Sequence, residues 1–403
     1  MAETLTLDRV YQAAHALKNT IRKTDLIRAD NIAEHCDLYL KTENLQITGS
    51  FKVRGAGFKM HALTPEERAK GVVACSAGNH AQGVALAAMK TGTEATIFLP
   101  SSAPISKVEA TRQMGAKIML IDGVYDDAHA AAMAYQRETG KIFIHPFDDY
   151  DVIAGQGTIG LELLDQLSGV EAIVVPVGGG GLASGVAFVA KMLNPDVKVY
   201  GVQAVGAGSM CNAFENKELC SLSQVSTFAD GIAVKSPGKI TYEMCRRYVD
   251  DMIAVTDDEI ALAVLWLMER QKLVTEGAGA VSVAAVLFEK LPLAGKKVCA
   301  IVSGGNIDVN ILSKVIHRGL LTSGRRTDLT IEMLDKPGQL LEVASIIAKT
   351  GANVTMVEHN LGTENMDING VYLHIAMETR NFEHLNEIKE KLMAAGYNMH
   401  ENK

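Results

Sequence analysis

Seven short runs constrain the fold more than anything else in this chain. Residues 72–75, 95–99, 117–121, 142–144, 172–177, 197–202 and 298–302 are apolar almost throughout, and most are separated by stretches with helical spacing, among them 81–90, 107–114, 128–137 and 158–167. A strand that is apolar at successive positions is covered on both faces, so strands alternating with helices imply largely parallel, open sheets of an α/β protein. In such sheets ligands bind beyond the carboxyl ends of the strands. The most unusual strings fall there: Ser76-Ala77-Gly78-Asn79-His80, Gly178-Gly179-Gly180-Gly181 and Ser303-Gly304-Gly305-Asn306. They are expected to converge on one site.

At 403 residues the chain is long enough for two or three well-buried domains. Its net charge is -8 and its basic residues are scattered among acidic ones, which argues against a nucleic-acid partner. No apolar stretch approaches the roughly 20 residues that span a bilayer, so no membrane partner is expected. The N-terminus lacks the basic-then-apolar order of a signal peptide, and a cytoplasmic protein is expected. Six cysteines show no C-x-x-C pair and no ligand spacing with histidine, so reduced thiols and no metal site are expected.

Residues 7–21 have one apolar face at helical spacing, and Thr64-Pro65-Glu66-Glu67 reads as a helix start. Near residues 322–326 the pattern changes, which suggests a linker between a body, 1–321, and a tail, 327–403. A smaller subdomain of the body is expected at about 50–150. The tail reads strand 329–333, helix 339–349, strand 354–358, strand 371–377, helix 382–395 and strand 397–400, a ferredoxin-like βαββαβ order.

The strand ends carry chemistry. Lys52 lies between Phe51 and Val53 at a strand-to-helix turn, where partial desolvation disfavours the ammonium and makes the amine a better nucleophile. On its own it is one basic residue among 39 and decides little. The glycine run at 178–181, followed by Leu182, stands between a strand and a helix, where backbone N–H groups can close on an anion such as phosphate. The spacing of Gly178, Gly180 and Ala183 also fits a dinucleotide fingerprint, but the next strand ends Tyr200-Gly201-Val202-Gln203, with no acid to bind a ribose hydroxyl. Ser76 to His80 open a helix, whose amides can take a carboxylate or serve only as a cap.

Thr48 to Ala56, with Lys41-Thr42-Glu43-Asn44-Leu45-Gln46 before it, closely resembles the pyridoxal-phosphate attachment motif of the serine/threonine dehydratases. The chain is similar to the threonine ammonia-lyase (threonine dehydratase) family, of the tryptophan synthase β-like or fold type II architecture. The resemblance implies pyridoxal 5'-phosphate as cofactor, with Lys52 catalytic. It places Phe51, Lys52, Asn79, Gly178, Gly179, Gly180, Gly181, Leu182 and Ser303 around the cofactor, Asn79 on its 3-hydroxyl and Ser303 on its pyridine nitrogen. It gives Ser76, Ala77, Gly78, Asn79 and His80 to the substrate carboxylate. Thr275-Glu276-Gly277-Ala278-Gly279-Ala280 matches a family segment near the ring, and Thr227 to Ala233 one lining the site, where an acid such as Asp230 helps bind a structural cation in some members.

The implied reaction is β-elimination of L-threonine to 2-oxobutanoate and ammonia, with side activity on L-serine. Serine racemases of this fold carry a serine as second base where this chain has Ala77, which cannot move a proton. A serine dehydratase, a β-replacement enzyme and a non-catalytic amino-acid sensor are the other readings. In the tail, Asp335-Lys336-Pro337-Gly338 and Gly351-Ala352-Asn353-Val354 resemble an ACT domain, which implies a homo-oligomer, dimer or tetramer, and a small effector, isoleucine or a nucleotide. A packing module without ligand is the plainer alternative.

Overall fold

The first helix, Leu7–Leu17, starts where the Thr6 hydroxyl accepts from the Arg9 amide at 3.2 Å, and it buries Val10, Ala13 and Leu17. It stops short of the expected residue 21. The amide and hydroxyl of Thr20 both return to the Leu17 carbonyl, at 2.8 and 3.0 Å, and tighten the chain there into a turn, while the Ile21 amide reaches the same carbonyl at 3.2 Å. The computed structural model describes residues 4–30, 35–361 and 370–401. Residues 1–3, on which the reading of the N-terminus partly rests, lie outside them.

The chain forms two compact units, residues 1–312 and 313–403. In the first, a six-stranded sheet runs in the order Leu26–Arg28, Asp37–Thr42, Lys297–Val302, Ala172–Pro176, Lys198–Ala204, Asp251–Val255. All neighbours are parallel except the first pair. A second sheet, fully parallel, has the order Lys117–Ile121, Ala95–Pro100, Val72–Cys75, Ile142–Phe143. Val72–Cys75, Ala95–Pro100 and Ala172–Pro176 are buried at every position, as apolar runs between two helical layers should be. Two strands were not expected from the sequence, Leu26–Arg28 and Asp251–Val255. Both are edge strands, one of three residues and one opening on an exposed aspartate, so neither carries an unbroken apolar run.

Beneath the helix Lys52–Ala62 lies a buried ion cluster. The fully buried Arg54 guanidinium donates to Glu43 at 2.8 Å and to Glu162 at 2.7 Å, and Lys41 donates to Glu162 at 2.7 Å. Two cations thus face two carboxylates, and Thr24 gives Glu43 a further hydrogen bond. Such a cluster contributes little net stability, yet losing one member leaves a buried charge unpaired, so it fixes the position of the helix it sits under.

The second unit is a four-stranded antiparallel sheet, ordered Asn353–Leu361, Gly370–Glu378, Arg326–Leu334, Asn398–Glu401. The helices Gln339–Lys349 and Phe382–Ala394 complete the βαββαβ order. Leu329, Ile331, Val371, Leu373, Ile375 and Met377 meet Val343, Ile347, Ile388 and Leu392 in its core. Residues 322–326 comprise the end of the helix Val309–Thr322, a turn with Gly324 at φ +65°, and the first residue of a strand. Compactness divides the chain earlier, inside that helix.

Candidate active site

The segment before Lys52 is zipped to the end of the strand Lys297–Val302. Ser50 bridges Gly304, the Phe51 amide donates to Ser303 O at 3.1 Å, and the Gly305 amide donates to Gly49 O at 2.8 Å. The approach is possible because Thr48 and Gly49 both take left-handed backbone, φ +70° and +71°. A Cβ on Gly49 would lie 2.3 Å from Asn306 Oδ1. Two strings separated by some 250 residues therefore meet at the first turn of the helix that carries Lys52.

Lys52 Nζ donates to the Pro146 carbonyl at 3.0 Å and lies 5.2 Å from the Phe51 ring centroid. Burial pushes its pKa from 10.5 down to about 8, against the pull of the Glu276 charge. Asn79 opens the helix Asn79–Thr91. That helix comes close because Gly83 leaves room; a Cβ there would sit 3.2 Å from the Lys52 backbone. Asn79 Nδ2 donates to Glu276 Oε1 at 2.7 Å, and Asn79 Oδ1 accepts from Asn306 Nδ2 at 2.8 Å. Asn306 Nδ2 also donates to Thr48 O at 2.6 Å. The Asn79 amide is thus held in one orientation with a second N–H left to offer.

Glu276 is buried, and desolvation first, with Asp230 second, raises its pKa to about 7. Its Oε2 has no partner, and Thr48 Oγ1, Ser50 Oγ and Thr275 Oγ1 are likewise buried and unpartnered. Buried polar groups are rarely left so, and four of them in the two segments that carry Lys52 and Glu276 point to a polar ligand there.

The four glycines link the strand Ala172–Pro176 to the helix Gly181–Leu193, with Gly180 at φ +98°. A Cβ on Gly179 would lie 2.4 Å from the Phe147 ring, one on Gly181 2.9 Å from Phe147 Cβ, and one on Gly180 2.7 Å from Met210 Cε. Thr241 Oγ1 donates to Gly179 O at 2.6 Å and pins the loop. Phe147 is next to Pro146, so one dipeptide touches both the lysine and the glycine loop. The first amides of a helix have no intrahelical acceptor, and a Cβ-free loop leaves them open to an anion.

Three expected side chains are engaged elsewhere. His80 Nε2 donates to Ile144 O at 2.9 Å; burial pushes its pKa down to about 3, so the ring is a neutral core group. The Leu182 side chain belongs to the hydrophobic core, so only its backbone is available to a ligand. The Ser303 hydroxyl donates to Ala278 O at 3.1 Å and has lone pairs to spare. Ser76 Oγ accepts from the Gly78 amide at 3.2 Å, shaping the loop in which Ala77 and Gly78 are half-buried. Asp230 holds Lys107, and among the described residues no group of three or more His, Cys, Asp or Glu could hold a metal. Pro146, Phe147, Thr241 and Lys107 were not legible in the sequence, although His145-Pro146-Phe147 lies just past a strand end as the other loops do.

The family described as pyridoxal-phosphate dependent enzyme matches residues 17–304. The chain belongs to that family. It is 48% identical over 395 residues to an L-threonine ammonia-lyase of Thermotoga maritima, covering 98% of each. The processed form of threonine deaminase isoform 2 from Solanum lycopersicum aligns at 36% identity and a TM-score of 0.73, covering 78% of this chain and 94% of that one. A maize serine racemase aligns at 34% and 0.74, covering 79% and 99%. The family's cofactor, pyridoxal phosphate, fits the residues present: an amine of lowered pKa, an oriented amide, a hydroxyl with free lone pairs, and a glycine loop that a Cβ would fill. When bound, it supplies an electron sink for the carbanion formed beside an amino group.

Proposed function

We propose that the chain is an L-threonine ammonia-lyase, eliminating water from L-threonine to give 2-oxobutanoate and ammonia, with activity on L-serine as well. The observation that carries this reading is the Lys52 amine, pushed down to about 8, bonded to the Pro146 carbonyl and near enough to Glu276 to feel its charge, with Phe147 next to Pro146 packed on the glycine loop. Near that pH it exists in both protonation states, which suits a group that takes a proton from the substrate Cα and returns it. The first amides of the helix Asn79–Thr91 and the loop from Ser76 would seat the substrate carboxylate. Gly178 to Leu182 would hold the cofactor phosphate through backbone amides, Ser303 would face its ring nitrogen and Asn79 its hydroxyl. Ala77 offers no proton on the opposite face, which favours elimination over the racemisation named for the maize relative.

Residues 327–403 would act as an ACT regulatory domain for isoleucine or a nucleotide, in a homodimer or homotetramer of a cytoplasmic enzyme. Support comes from the ferredoxin-like strand order and from exposed apolar groups that a second copy would cover: Leu341, at 71% exposure, with Leu340, Met356 and Val357. No helix among the described residues is long and apolar enough to cross a membrane. The test is 2-oxobutanoate production from L-threonine by purified protein with pyridoxal phosphate, beside Lys52→Ala. Wild-type turnover is expected, and the variant should lose both turnover and the visible absorption of the attached cofactor. Undiminished turnover by the variant, without added amine, would end the assignment.

A further inference from the structure

Lys107 and Asp230 join the two halves of the body beside the loop that runs from Ser76 to Asn79. Lys107 lies on the helix Ile105–Gln113, between two strands of the small sheet, and Asp230 opens the short helix Asp230–Ile232 of the large one. Their Nζ–Oδ2 distance is 2.5 Å. The pair is asymmetric: the Lys107 side chain is 11% exposed and that of Asp230 is 60% exposed. Water can take over the carboxylate of such a pair at little cost, whereas a nearly covered ammonium needs another anion in its place. Lys107 Nζ lies 3.9 Å from where a Gly78 Cβ would stand, directly over the loop that would seat the substrate carboxylate. Asp230 and Glu276 already place two carboxyl groups here, and Gly231 brings them close, its Cβ position being 3.3 Å from Glu276 Oε1. A further anion arriving without a cation of its own would meet repulsion.

We propose that Lys107 is a specificity-determining residue that exchanges Asp230 for the α-carboxylate of the amino-acid substrate. One N–H of the ammonium leaves the aspartate, which turns to water, and bonds the carboxylate seated on the first amides of the helix Asn79–Thr91. Asp230 is then a competitor that holds Lys107 in place until substrate arrives. The inference rests on the threonine-lyase reading.

The test is steady-state kinetics on the holoenzyme with L-threonine, for wild type, Lys107→Gln, Lys107→Arg and Asp230→Asn. It is joined by inhibition with 2-hydroxybutanoate and its uncharged amide. Lys107→Gln is expected to raise KM about tenfold while kcat falls less than about threefold, and Lys107→Arg to restore most of the loss. Asp230→Asn removes the competitor, so KM should fall. Wild type should prefer the acid over the amide about tenfold, and Lys107→Gln should lose that preference. An unchanged KM in Lys107→Gln, or a rise in Asp230→Asn matching it, would overturn the proposal and leave a purely structural clasp. Absence of 2-oxobutanoate from wild type with cofactor bound would instead refute the threonine-lyase reading, and binding of the acid and of the amide, followed by the visible absorption of the cofactor, would still report on Lys107.

Discussion

Glu276 is a carboxyl group that the fold pushes toward neutrality, and this has a measurable consequence at residue scale. Its folded pKa of about 7 exceeds the ordinary 4.5, because burial and Asp230 outweigh Lys107, Asn79 and Lys52. Between pH 4.5 and 7 the native protein holds a proton that the unfolded chain has released, so this group destabilises the fold progressively as pH rises through that window. His80 and His145 act in the opposite sense, since their folded values of about 3 and about 4 lie below the ordinary 6.5. Comparison with Glu276→Gln cancels them. Relative to wild type, the cofactor-free variant should gain stability between pH 4.5 and 7, by about 3 kcal/mol at most, and stay level above. Urea midpoints across pH would show it, and a difference independent of pH would mean that Glu276 is ionised throughout. Residues of this kind divide by legibility. Lys52 and the glycines sit in strings with local meaning, whereas the Asn79–Glu276 hydrogen bond joins positions 197 apart and arises only from folding.

At the scale of elements, the position of Lys52 depends on where its helix crosses the helix Tyr150–Gln166. The two approach backbone to backbone: a Cβ on Gly155 would lie 2.6 Å from Arg54 O and from Gly55 Cα. Gly155→Ala must push the helices apart, and overpacking of this sort costs about 1–3 kcal/mol. The displacement acts on the residues that flank Lys52 and on the Arg54 ion cluster, so weaker cofactor retention should accompany the lower midpoint. Thermal unfolding with and without pyridoxal phosphate would reveal both, and a variant as stable and as tightly loaded as wild type would show that the contact has slack. Buried strands were legible because their apolar runs are unbroken, as were the helices with one apolar face. The edges of the large sheet, Leu26–Arg28 and Asp251–Val255, were not, since one is three residues long and the other opens on an exposed aspartate, whereas the edges of the small sheet, Lys117–Ile121 and Ile142–Phe143, keep an apolar run and were read. The close crossing was invisible as well, because an isolated glycine within a helix does not announce what will press against it.

At the scale of the whole chain, each unit is built on a core of its own. Among the described residues, the clusters of the body reach to Ile301 and that of the C-terminal sheet begins at Leu329. A chain ended after Ser323 should therefore fold, bind pyridoxal phosphate and make 2-oxobutanoate with kcat within about threefold of the full chain, because no residue assigned to the site lies beyond Asn306. If the tail senses isoleucine, suppression of the full-length enzyme should vanish in the shortened one, and heat released on titrating isoleucine should vanish with it. The linkage between effector and substrate is reciprocal, so threonine should weaken isoleucine binding by the same factor by which isoleucine weakens threonine. Isoleucine that acts equally on both chains would place its site in the body. A full chain that ignores isoleucine but responds to a nucleotide, with the response lost on shortening, would keep the regulatory role and change the ligand. A shortened chain that unfolds would show that the helix Val309–Thr322 needs the C-terminal sheet to hold it, in keeping with a division by compactness that falls inside that helix.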